Sequence, residues 1–127
     1  MNIEDNDKMK LLFENGIKTF EEHDFYEAHE LWEELWSDYN ISDSGFIQGL
    51  IQLAVAYFHI SNLNKNGAIG LFTKCIPKLE DYMPIYRGID IKNILIKVEA
   101  ALQFLKDEDC RIAEFDWSNV PRIRCEI

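Results

Sequence analysis

From Phe46 to Ile60 the chain reads Phe-Ile-Gln-Gly-Leu-Ile-Gln-Leu-Ala-Val-Ala-Tyr-Phe-His-Ile, which is apolar on nearly every side when wound as an α-helix. A helix of that kind is stable as the buried centre of a bundle. Its few polar residues are ordered, because Gln48, Gln52 and His59, with Val55, recur at spacings of four, three and four and form one stripe. Gly49, Ala54 and Ala56 leave small surfaces where neighbouring helices approach closely. The apolar run around Leu50 to Ile60 is interrupted by Gln52 and His59 and is too short to span a bilayer.

The rest of the sequence supplies partners for this helix. Met9, Leu12, Phe13, Gly16, Ile17 and Phe20 recur at helical spacing, which predicts a first helix over about 5–22. After the His23-Asp24 break a second helix runs over about 24–39, with Asp24 as N-cap and Glu27 in the capping-box position. The central helix spans about 44–63. A fourth follows over 66–83, bent near Pro77, and a fifth over 90–106, capped by Asp90. The remainder, with Phe115, Trp117, Val120 and Pro121, packs back as an irregular extension. No alternating runs bounded by hairpin signals occur, so no sheet is expected. The expected fold is therefore all-α, a single domain over 1–127 built as a compact bundle of about five helices.

Charge narrows the function classes. Thirteen Lys plus Arg against 23 Asp plus Glu give a formal charge of −10, which repels phosphate backbones and anionic lipid. No nucleic-acid or membrane partner is expected. The acidic start, Met1-Asn2-Ile3-Glu4-Asp5-Asn6-Asp7, lacks the basic-then-apolar order of a signal peptide, so a cytoplasmic protein is expected. The three cysteines are far apart and without a C-x-x-C pair, indicating neither disulfides nor a thiolate zinc site. P-loop, G-x-G-x-x-G and G-x-S-x-G patterns are absent as well.

The second helix carries the most chemistry. Phe25, His29, Trp32 and Trp36 fall on its inner stripe, and Glu33, one turn after His29, sits at the edge between faces. A short connection makes the second and third helices antiparallel neighbours, which places His29 at the height of His59. Imidazoles and a carboxylate suit zinc, iron or nickel, so His29, Glu33 and His59 are candidate ligands of a divalent metal. Glu30 is the candidate general base on a bound water, although it lies about a hundred degrees around the helix from His29. Gln48, Gln52, Trp32, Trp36 and Tyr57 would line such a pocket and meet a small-molecule ligand. The competing reading is structural: His29, Gln48, Gln52 and His59 satisfy one another inside the bundle, because an unpaired buried polar group costs roughly 1 to 3 kcal/mol. Large aromatics at this spacing are also core residues in most helices of this kind.

Several of these segments together are similar to one family. Tyr26-Glu27-Ala28-His29-Glu30 with Glu33 and Trp36, then Gln48-Gly49-Leu50-Ile51-Gln52 leading to His59, Asn64 with Gly67-Ala68, and Tyr86-Arg87-Gly88-Ile89-Asp90 resemble the domain of unknown function 309 family. The resemblance implies a small, all-helical fold. The family's label of predicted metal-dependent hydrolase implies a role for Glu27, His29, Glu30, Glu33, Gln48, Gln52 and His59. Two functions follow as expectations: metal-dependent hydrolysis in a pocket between the second and third helices, or a non-enzymatic interaction or regulatory module whose acidic surface meets a basic protein partner. An exposed tryptophan patch on the second helix would point to a homo-oligomer.

Overall fold

The computed structural model describes residues 3–125. Five helices form a bundle: α1 (Ile3–Glu21), α2 (Phe25–Asp38), α3 (Ser44–Ser61), α4 (Lys65–Glu80) and α5 (Ile91–Lys106). Each packs on its neighbour in sequence, and α3 lies between α2 and α4. The all-round apolar helix is thus the centre, with Phe46, Ile47, Leu50, Leu53, Ala54, Ala56, Tyr57 and Ile60 all sealed from solvent. No described helix is long and apolar enough to cross a membrane. Helix α4 continues through Pro77 and stops at Glu80, three residues short of the expected end.

Two helix corners share one construction. At the end of α1, His23 adopts a left-handed φ of 62°, its N–H donates to the Phe20 carbonyl, and the Asp24 N–H donates to the Thr19 carbonyl. At the end of α3, Leu63 has φ 60°, with Leu63 N–H on Ile60 and Asn64 N–H on His59. Both are Schellman motifs without the usual glycine. In both, the following residue also caps the next helix: Asp24 accepts from the Glu27 N–H and Asn64 from the Gly67 N–H. Leu63 is well exposed, and a left-handed leucine costs about 1 kcal/mol or more. Leu63→Gly is therefore expected to stabilise the fold by about 1 kcal/mol, read as a raised urea midpoint, and an unchanged or lowered midpoint would contradict the strain.

One small sheet departs from expectation. Ile85–Tyr86 (β1) pairs antiparallel with Ile89–Asp90 (β2) across the two-residue turn Arg87-Gly88, where φ is 50° and 72°. Two left-handed residues make this a type I′ hairpin. Its strands are two residues long, too short for any alternation to show in the sequence. The chain then returns across the first helix: the Ile123 and Arg124 N–H groups donate to a Glu21 carboxylate oxygen, Arg124 pairs with Glu14, and Ile89 bridges Arg124.

Candidate functional site

The aromatic start of α2, the end of α3 and the returning chain enclose two adjoining hollows. The smaller, about 130 Å³, is lined by Phe25, Tyr26 and His29 from α2 and Val55, Phe58 and His59 from α3. The larger, about 340 Å³, is lined by His23, Asp24, Phe25, Tyr26, Phe58, Ser61 and Trp117. Phe25, Tyr26 and Phe58 belong to both, so the two form one groove. All three histidines of the chain line it.

Its walls are rings. Tyr26 faces Phe58 at 5.5 Å and His29 at 5.6 Å between centroids. On the other side His23 stacks on Phe25 at 5.3 Å, and Trp117 stacks on Phe25 at 6.1 Å. Tyr26 is 52% exposed although it is a large ring, and the carboxylate of Glu30 beside it raises its phenol above the usual range. No lysine or arginine lines either hollow.

The antiparallel arrangement brings His29 and His59 to one cavity, at the height expected. Glu33, one turn further along α2, moves away from His59 and adds nothing to the lining. Among the described residues no three His, Cys, Asp or Glu side chains stand close enough to hold one ion. Both imidazoles have other company. His29 Nδ1 lies 3.6 Å from the Glu30 carboxylate. His59 Nδ1 lies 3.3 Å from Asn64 Nδ2. Because the Gly67 N–H can only donate, at 2.9 Å, to Asn64 Oδ1, the asparagine presents its NH₂ to His59, so Nδ1 accepts and the ring proton sits on Nε2. A metal-bound histidine uses its rings the other way, donating from one nitrogen while the other ligates. The residues present therefore do not fit the three-ligand metal set.

Mutual satisfaction among His29, Gln48, Gln52 and His59 is not the arrangement either. His59 is satisfied by the α4 cap, while Gln52 Oε1 is buried with no partner among the described residues. Gln48 is half-buried on the same stripe. Gly67 leaves room for this corner, since a Cβ there would stand 2.9 Å from His59 Cδ2.

The aromatics expected as pocket walls divide. Trp32 is sealed in the core with its indole N–H donating to the Phe13 carbonyl at 3.3 Å. Tyr57 is also sealed, wedged between Phe20, Phe25 and Phe72, and burial pushes its phenol far above the usual range. Neither borders the groove, because both lie on faces that α1 and α4 cover. Trp36 is partly exposed further along α2 and away from it. Burial pushes the Cys75 thiol up to about 12, and none of the described cysteines is bridged.

The model of the family described as Domain of unknown function (DUF309) matches residues 13–71. The matched segment, a little under half of the chain, is similar to that family. It contains most of α1, all of α2 and α3, and the start of α4, hence both helix corners and every groove residue except Trp117. The Tyr86-to-Asp90 segment, part of the resemblance noted above, lies outside the DUF309 match. The family description carries no activity, and no curated protein matches the chain.

A second polar cluster was not foreseen. Asp43, 5% exposed in the turn before α3, accepts from Arg87 Nε at 2.7 Å, Arg87 Nη2 at 3.0 Å and the Tyr86 hydroxyl at 3.0 Å. The Arg87 guanidinium also lies over the Phe13 ring, 4.9 Å from its centroid. Asp43 stands in a stretch dense in turn residues, where a cap is the simplest reading, and no spacing links it to Arg87.

Proposed function

We propose that the chain is a non-enzymatic interaction module, and that the α2–α3 groove receives a cationic side chain of a basic protein partner. The observation that carries this reading is the lining: π faces of Tyr26, Phe58 and Trp117 beside the Asp24 carboxylate, with no lysine or arginine among them. Aromatic faces attract cations by about 0.5–1 kcal/mol at exposed sites. Exposed Glu27 and Glu30 on the first turns of α2, and the net charge of −10, add attraction at longer range. His23 supports the reading independently. It holds a left-handed conformation that glycine would adopt at less cost, and its ring forms part of the wall.

The test is calorimetric titration with a short arginine- and lysine-rich peptide and with its glutamate-substituted counterpart. The basic peptide should bind and the acidic one should not. Tyr26→Ala, an exposed change, should weaken binding about two- to fivefold, the equivalent of one cation–π contact. His23→Gly should stabilise the fold while weakening binding. Absence of binding at low salt, or binding that Tyr26→Ala and His23→Gly leave untouched, would overturn the reading.

A further inference from the structure

Sharing no lining residue with that groove, the end of α4, the turn after it and the outer face of α5 form a second concave surface that the proposed function does not use. It is lined by Glu80, Met83, Lys92, Leu95, Ile96 and Glu99. Two large apolar side chains of the lining stand unusually open, Met83 at 45% and Ile96 at 58%, and Ile85, two residues on from Met83, is 55% exposed. The Lys92 N–H on the Pro84 carbonyl holds the β1 end against α5, so the apolar surface is continuous. A contiguous patch of this kind on a folded domain marks an interaction surface.

Its charges identify the occupant. A basic or an acidic partner would be matched by charges of one sign, but this rim has both. Lys92 stands one turn before Ile96, and Glu99 nearly one turn after it, on the same face of α5. Neither has an ion-pair partner within the chain among the described residues. With Ile96 on a two-fold axis and two α5 helices antiparallel, Lys92 lies roughly 6 Å from the axis and Glu99 of the second copy roughly 4.5 Å along the same direction. Each lysine then meets the glutamate of the other copy, twice, which is the self-complementarity an isologous interface requires. We infer that this face is a homodimer interface, closed by Ile96 on Ile96 and by two reciprocal Lys92–Glu99 pairs.

The face must carry its own counter-charges, because two chains of net charge −10 repel one another elsewhere. The basic-partner groove lies on α2 and α3 and stays open in such a dimer, so the two readings stand or fall separately.

Sedimentation velocity over a concentration series tests it, with circular dichroism confirming that each variant is folded. The wild-type chain should convert from monomer to dimer as concentration rises. Ile96→Glu should remain monomeric throughout. Glu99→Lys should weaken the dimer tenfold or more, and the swap Lys92→Glu with Glu99→Lys should restore it. A wild type that stays monomeric at millimolar concentration, a dimer indifferent to Ile96→Glu, or a swap that restores nothing would each overturn the inference.

Discussion

Replacing Gly16 by alanine is expected to destabilise the fold by about 3 kcal/mol or more, although glycine to alanine within a helix ordinarily gains up to 1 kcal/mol. The Trp32 indole crosses α1 where residue 16 has no side chain, and a Cβ there would fall 2.5 Å from Trp32 Cδ1. The indole cannot step aside, since it is fully enclosed, packed on Phe20 at 6.1 Å, and its N–H is committed to the Phe13 carbonyl. The bundle must therefore part α1 from α2 or force the ring off its rotamer. Urea unfolding of Gly16→Ala gives the size of the effect. Pairing it with Trp32→Leu separates overlap from any other cause: the double variant should be more stable than the sum of the two single losses. A Gly16→Ala midpoint equal to wild type would show that the indole has room to move.

Arg87→Ala is expected to cost about 2–3 kcal/mol. Removing one partner of a fully buried ion pair costs roughly 3–5 kcal/mol, and the lower figure follows because the Arg87 side chain is 34% exposed and solvent already screens part of the pair. What remains is a buried Asp43 carboxylate with, among the described residues, the Tyr86 hydroxyl alone to satisfy it. The loss should fall mostly on the hairpin, because Arg87 holds a left-handed φ of 50° that the ion pair helps to impose. Asp43→Asn in the Arg87→Ala background should recover part of the stability by removing the stranded charge. A double variant no more stable than Arg87→Ala alone would mean that Asp43 is not stranded.

How much was legible follows from which signals are periodic. The five helices were, to within three residues at most ends, because each buries one stripe and α3 buries all of its faces. The ends were less so. Leu63 is not a residue type that advertises a left-handed cap, His23 signals one far less than glycine does, and the two-residue strands offer no pattern to read. At the site, antiparallel packing correctly set His29 beside His59. The ligand set needed Glu33 to lean toward His59, and helix geometry carries it the other way. The imagined glutamine network ignored Asn64, which lies beyond the α3 stripe yet reaches back to His59 from the next helix. Trp117 and Arg87 were beyond reach for a different reason. They come to the groove and to Asp43 through tertiary folding of irregular chain, and no local spacing encodes that.

The chain's return across α1 has a consequence for how the molecule opens. Segment ends ordinarily fray one at a time. Here Glu21, in the last turn of α1, receives the N–H groups of Ile123 and Arg124, while Glu14 holds the Arg124 side chain and Ile89 bridges its backbone. Lifting residues 123–124 strips α1 of its carboxylate partners and the hairpin of its third edge together. Amide exchange in α1, in the hairpin and at 123–124 is therefore expected to follow a single cooperative opening, with regions far apart in the sequence sharing one protection free energy when measured by native-state hydrogen exchange.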